Sequence, residues 1–224
     1  MKLVLLQQQQ QSKSLPPRWQ RCADLGCGTG LLGVHARPFV EYLAGSDLSG
    51  GMIAEAKHRM NASTGKPLYD DLATDEIEKW LNQCELGFDL ILAADVFVYI
   101  GQLDGVFASA KSAFERMKMK MMMMSNEQEV SDSVSSLSTP LFAFSTESYE
   151  NHFAFSSSSS ATTTSLSSEP FALTSTGRCV HSRKYIRDLA SLHGFTELAV
   201  EQTVIRKNAG KDVVGDLYVF SFVI

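Results

Sequence analysis

Along Phe88–Ala94, FDLILAA, nearly every position is apolar. No single buried face explains such a run, whereas a strand covered on both sides does. Similar but shorter patterns recur on either side of it. Arg21–Leu25 predicts a first strand, followed by a glycine-rich turn and a short helix from Leu31 that Pro38 should end. A second strand is expected over Tyr42–Leu48. Ser49 then caps a helix whose apolar face is Met52, Ile53, Ala56 and Met60. The pattern continues with a strand over Pro67–Leu72, a helix over Thr74–Gln83, the Phe88–Ala94 strand, and a helix marked by Leu103, Phe107, Ala110 and Phe114. LFAFS at Leu141–Ser145 is the fifth strand. Strand and helix in repeated alternation predict a doubly wound parallel sheet.

The last part of the chain changes style. Ser182 can cap a helix carrying Tyr185, Ile186, Leu189 and Ala190, and Gly194 stops it. Strand patterns over Phe195–Ile205 and Leu217–Val223 follow, joined by a loop containing Asn208 and Gly210. The expected architecture is therefore an α/β fold with a mostly parallel sheet of seven strands that closes with a C-terminal antiparallel hairpin.

Three stretches fall outside these patterns. Residues 1–18 hold the run Gln7–Gln11 and the pair Pro16-Pro17 and read as a flexible leader. The single domain is then 19–224, interrupted by low-complexity inserts at about 117–138 and 156–168. The first insert combines methionines with serines, and a surface loop is favoured over a soft apolar binding surface.

Composition narrows the class further. At 224 residues, 44% hydrophobic and 20% charged, the chain suits one soluble α/β domain. Its formal net charge of −5, with no long basic run, argues against nucleic acid as partner. The longest early apolar run, Leu3–Leu6, is too short for a signal-peptide core or a membrane span. Lys2, Lys13, Arg18 and Arg21, with no acid among them, superficially suggest an organelle address, but a cytoplasmic location is the default. Cys22, Cys27, Cys84 and Cys179 show no C-x-x-C pairing and read as plain thiols in a reducing compartment, with no metal site.

The candidate chemistry lies in ADLGCGTGLLG, Ala23–Gly33. Gly28, Gly30 and Gly33 fit the G-x-G-x-x-G of a dinucleotide fold. That count, however, begins two residues late and puts Asp47 only 14 residues past the last glycine, against about 20 expected. Asp24-Leu25-Gly26-Cys27-Gly28-Thr29-Gly30 fits D/E-x-G-x-G-x-G instead, with the acid at the strand end that this pattern demands. Glycines there let backbone N–H groups at a helix N-terminus approach a carboxylate.

With DLGCGTG and the second acidic segment GSDLSGGMI at Gly45–Ile53, the sequence resembles the class I S-adenosylmethionine-dependent methyltransferases. FDLILAADVFVYIGQL (Phe88–Leu103) and GRCVHSRKYIRDLASLHGF (Gly177–Phe195) look like a subgroup of these enzymes often attached to tetratricopeptide repeats. The resemblance implies a Rossmann-like sheet, S-adenosyl-L-methionine as cofactor, and methyl transfer by in-line displacement to an acceptor that the sequence does not name, a small molecule or a protein side chain. It assigns Asp24 to orienting the amino-acid part of the cofactor, Gly26, Cys27, Gly28 and Gly30 to the loop around it, and Asp47 to the ribose hydroxyls. Leu48 and Met52 would flank the adenine, with Ala94 at the end of the fourth strand. Asp71 or Asp75 would meet the adenine amino group, the register leaving both open. On the acceptor side it points to Asp95, Phe97, Tyr99 and the His181–Tyr185 segment, with Asp95, Tyr99 and His181 as the catalytic candidates. A structural role for His181 and a small-residue role for Cys27 compete with these assignments. The resemblance also implies helices ahead of the first strand that cover the cofactor, where this chain has glutamines and prolines. The expectation is a shortened or partner-supplied lid and impaired activity, so a methyltransferase-like binding or assembly protein is the alternative, and an NAD-dependent oxidoreductase a distant third.

Overall fold

A computed structural model describes residues 19–126, 139–156, 169–208 and 210–223. The expected leader and most of the two expected inserts lie outside these residues. The strands are β1 (Trp19–Leu25), β2 (Val40–Asp47), β3 (Asp71–Thr74), β4 (Leu90–Ala93), β5 (Leu141–Ser148), β6 (Phe171–Leu173), β7 (Cys179–His181), β8 (Phe195–Asn208) and β9 (Lys211–Phe222). The helices are α1 (Leu31–Ala36), α2 (Gly50–His58), α3 (Ile77–Gln83), α4 (Asp104–Asn126), α5 (Tyr149–Ser156) and α6 (Arg183–Leu192).

Strands β3, β2, β1, β4 and β5 lie side by side and parallel. β9 then pairs antiparallel with β5 and β8 with β9, giving the expected seven-strand core. Two strands go beyond that expectation. β5 is longer than β4, and its last residues, Glu147 and Ser148, pair with Val180 and His181 of β7, which in turn pairs with β6. β9 already occupies one edge of β5 along Leu141–Glu147, so β7 sits on the other edge, past the end of β4.

The apolar run at the fourth strand is explained by its two faces. Ile91 and Ala93 join the core that contains Phe107, Phe142, Phe144 and Phe220, while Leu90 and Leu92 join the opposite core of Leu43, Ile53 and Leu141. With helices on both sides, neither face has a polar position to show. Caps predicted from sequence are formed: Ser49 Oγ accepts the Met52 N–H and Ser182 Oγ accepts that of Tyr185.

Several boundaries differ from expectation. The third strand is Asp71–Thr74 rather than Pro67–Leu72, because Leu68 and Tyr69 are buried by side-chain packing ahead of the ladder. The helix after it begins at Ile77. The fourth helix continues through Met117 and the following methionines to Asn126, so the first expected insert begins inside a helix. Met117 itself is buried, at 4% exposure, whereas Met123 is 64% exposed. The terminal hairpin is also longer than predicted, reaching Asn208 and resuming at Lys211. No helix among the described residues is long and apolar enough to cross a membrane.

Candidate active site

In parallel sheets, ligands bind beyond the carboxyl ends of the strands where the strand order reverses. A cavity of about 850 Å³ lies there, lined by the ends of β1, β2 and β4 and the segments that follow them. Its walls include Asp24, Gly26, Cys27 and Gly28, then Asp47, Leu48, Ser49 and Met52, then Asp75 and Ile77, and finally Ala94, Asp95, Val96 and Tyr99.

The glycine loop is shaped by its backbone. Gly26, Gly28 and Gly30 all have positive φ, at 61°, 55° and 86°, a region that side chains other than glycine rarely adopt. At Gly26 a Cβ would also strike the Val96 side chain, so the loop can lie flat against the β4 end only without one. The Cys27 N–H donates to the Ser46 carbonyl at 3.0 Å, tying the loop to β2. The Cys27 thiol is buried, and burial followed by the charge of Asp24 pushes its pKa far up; it is a small filler facing Gly45.

Asp47 is fixed from two sides. Its Oδ2 accepts the Gly28 N–H at 2.9 Å and its Oδ1 accepts the Ser49 N–H at 2.8 Å. A carboxylate has about four acceptor positions, so two remain for a diol at the cavity wall. Leu48 and Met52 follow, 73% and 45% exposed, forming an apolar lip.

Asp24 is the opposite case. It is 1% exposed, its Oδ2 accepts the Tyr69 hydroxyl at 2.6 Å, and its Oδ1 has no hydrogen-bond partner. Burial raises its pKa from 3.8 to about 7; the Tyr69 hydrogen bond and the Gly33 N–H oppose that rise, and the charge of Asp47 adds to it.

The two alternatives for the adenine contact separate by position. Asp71 begins β3 opposite Ala44 and lies outside the cavity. Asp75 follows the carboxyl end of β3 and lines the cavity, its Oδ1 accepting from Lys79 and from the Glu76 N–H, both at 2.9 Å.

In the segment after β4, Asp95 has φ 54°, the one non-glycine among the described residues with positive φ, and its N–H donates to Ser145 Oγ at 3.0 Å. Asp95 Oδ1 pairs with Arg178 at 3.1 Å, and Arg178 also donates to the Tyr99 hydroxyl at 2.8 Å. Arg206 of β8 reaches over to the buried Glu147 at 2.6 Å and lies 3.8 Å from Asp95. His181 does not belong here. It is fully buried away from the cavity, its Nε2 lies 2.9 and 3.0 Å from the Ile100 and Gly101 carbonyls, and burial lowers its pKa. Its role is to tie β7 to the segment after β4. Tyr69, Arg178, Arg206 and Glu147 were not singled out by the sequence pattern.

A family model described as a methyltransferase domain matches residues 23–115. No curated protein matches the sequence. Among solved structures, an S-adenosylmethionine-dependent methyltransferase from Clostridium acetobutylicum superposes with a TM-score of 0.56 at 18% identity, over 91% of this chain and 84% of that one. The N-methyltransferase NodS from Bradyrhizobium japonicum, in complex with S-adenosyl-L-homocysteine, gives 0.54 at 15% identity over 92% and 79%. Magnesium protoporphyrin IX methyltransferase from Synechocystis, with bound S-adenosylmethionine, gives 0.51 at 14% over 92% and 71%. These structures share with this chain the Rossmann-like α/β fold in which an antiparallel strand, here β9, lies beside β5. The segment matched by the family model runs from within β1 to the middle of α4 and contains the glycine loop, Asp47 and Asp95.

Proposed function

We propose that the chain binds S-adenosylmethionine in this cavity and transfers its methyl group to an acceptor admitted beside Asp95 and Tyr99. The observation that carries the reading is the convergence on one cavity of the glycine loop, the doubly anchored Asp47 and the half-satisfied Asp24. A dinucleotide sheet would continue parallel past its fifth strand, whereas β9 runs antiparallel.

The residues fit the cofactor group by group. The N–H groups of Cys27, Gly28 and Gly30 are already committed to Ser46, Asp47 and Cys27, so a carboxylate falls to the N-terminus of α1, and Asp24 Oδ1 lacks a donor that an ammonium would supply. Asp47 accepts from ribose hydroxyls, Leu48, Met52 and Ile77 cover an aromatic base, and Asp75 accepts from an exocyclic amine. The bound cofactor supplies an electrophilic methyl group on a sulfonium, which leaves as a neutral thioether. Because charge is neutralised in that transfer, alignment of donor and acceptor dominates over acid–base help. Asp95 then binds an acceptor amine or hydroxyl, and Tyr99 forms one wall.

Calorimetry with S-adenosylhomocysteine and NAD, followed by a methyl-transfer assay across amine, hydroxyl, thiol and carboxyl acceptors, tests the reading. Binding of S-adenosylhomocysteine without NAD, together with turnover on one acceptor class, is expected. Binding of NAD instead would overturn the cofactor, and binding without turnover on any acceptor would leave a methyltransferase-like binding protein.

A further inference from the structure

The fourth glycine of the Ala23–Gly33 segment, Gly33, is not among the residues that line the cavity. A Cβ there would collide with the hydroxyl and ring of Tyr69. The same ring stands 2.9 Å from where a Cβ of Gly30 would lie and 3.0 Å from that of Gly45. Glycines from the loop, α1 and β2 thus leave a slot that one tyrosine fills. The slot is rigid, because Leu68 N–H donates to the Arg59 carbonyl at 2.9 Å and Asp70 N–H to that of Leu43 at 2.8 Å, holding Tyr69 from both sides.

A buried tyrosine needs a partner for its hydroxyl. Here the partner is Asp24, bound at 2.6 Å through Oδ2, while Oδ1 stays buried, unpartnered and on a residue that lines the cavity. An acceptor atom left open in a low-dielectric wall costs free energy until a donor arrives, and it favours a charged donor most. We propose that Tyr69 is the positioning residue of the donor site: by taking Oδ2, it presents Asp24 Oδ1 as the acceptor for the ammonium of the methyl donor's amino-acid part. This rests on the S-adenosylmethionine reading above and adds a residue to it.

The groups that face Asp24 fix the expected pH behaviour. They are Cys22 on β1, Cys27 in the loop, Asp47 from β2, Tyr69, the Gly33 N–H from α1, and Asp95 across the cavity. The thiols are neutral near pH 7 because burial raises their pKa. Arg59, the cation beside the loop, is engaged with the Thr29 carbonyl at 2.7 Å. Asp24 therefore has one hydrogen bond, from the Tyr69 hydroxyl, and only the weak pull of the Gly33 N–H besides, and without that hydroxyl its midpoint moves above about 7.

The test is calorimetric titration of the full chain between pH 6 and pH 8.5 with S-adenosylhomocysteine, which carries the ammonium, and 5′-methylthioadenosine, which lacks the amino-acid part. In the unsubstituted protein, affinity for S-adenosylhomocysteine should weaken by up to about tenfold per pH unit below the midpoint, while methylthioadenosine stays level. Tyr69→Phe keeps the ring in its slot. It should move the midpoint upward and weaken S-adenosylhomocysteine by roughly tenfold at pH 7.5, leaving methylthioadenosine within about twofold. Should Tyr69→Phe fail to fold, Asp24→Asn carries the test, with weak binding that no longer depends on pH. An unchanged midpoint in Tyr69→Phe, equal losses for both ligands, or a pH dependence that survives Asp24→Asn would overturn the proposal. Failure of both nucleosides to bind the unsubstituted protein would instead overturn the donor-site reading beneath it.

Discussion

Replacing Asp24 with asparagine should make the ligand-free protein more stable at pH 8, at the expense of its site. The carboxyl is 1% exposed and its pKa rises from 3.8 to about 7 on folding, chiefly through burial. Between those values the folded chain holds a proton that the unfolded chain has released. Stability therefore falls as pH rises through this window and levels off above about 7. At about 1.4 kcal/mol for each tenfold change in proton affinity, the full effect is on the order of 4 kcal/mol, of which roughly 2–3 kcal/mol develops between pH 5 and pH 8. Asparagine retains the shape and can still accept the Tyr69 hydroxyl but cannot ionise. The difference in thermal midpoint, variant minus unsubstituted protein, should thus grow by roughly 5–10 °C from pH 5 to pH 8 for a domain of this size. Thermal unfolding by circular dichroism at the two pH values measures it. A difference that stays constant with pH, or a variant that is less stable at pH 8, would refute the reasoning that Asp24 is held against its own ionisation.

Asp47→Ala removes the proposed acceptor for ribose hydroxyls and also frees the Gly28 and Ser49 N–H groups, so S-adenosylhomocysteine affinity should drop by roughly 30- to 1000-fold in calorimetry, with a smaller loss for Asp47→Asn. His181→Ala should cost about 2–4 kcal/mol in denaturant unfolding, because it opens a cavity and strands the carbonyls of Ile100 and Gly101, yet leave cofactor affinity per folded molecule nearly unchanged; a large loss of affinity without loss of stability would return His181 to the site. The methionine run should divide by burial, with Met117→Ala costing about 2–3 kcal/mol and Met123→Ala within about 0.5 kcal/mol in the same assay.

Much of the fold was readable because buried parallel strands carry an unambiguous pattern. The run at Phe88–Ala94 places residues in both cores, and the caps at Ser49 and Ser182 announce their helices locally. The third strand differs from expectation for a physical reason: Leu68 and Tyr69 are apolar and buried, but they pack into the core with Cys27 and Leu43 rather than joining the ladder. That displacement is also what left Asp71 and Asp75 indistinguishable. Methionine is a good helix former, so α4 runs on where composition suggested a loop. Strands of three residues such as β6 and β7 carry too little pattern to be seen. Tyr69, Arg178 and Arg206 were missed because their partners lie 45, 83 and 59 positions away, distances across which no local spacing has meaning.

Under the proposed function, the donor and acceptor halves of the cavity are built by different parts of the chain, and this bears on how acceptor choice would arise. The donor half is made by β1, β2 and their following turns, within the matched methyltransferase domain. The acceptor half borrows from outside it. Arg178 directly precedes the short β7, and Arg206 lies on β8 opposite Val213, in the part of β9 ahead of Gly215, where pairing with β5 begins. Both guanidiniums converge on Asp95 and Glu147, and both are mostly shielded, at 20% and 17% exposure, while Asp95 remains half exposed. A carboxylate held between two planar cations is fixed in direction and kept available on its open side. Asp95 thus presents acceptor capacity to the cavity at a left-handed backbone position that the Ser145 hydroxyl stabilises. Under that reading, changes in β6, β7 or the β8–β9 arm would alter which acceptor fits without disturbing the glycine loop, the arrangement expected when one donor serves many acceptors.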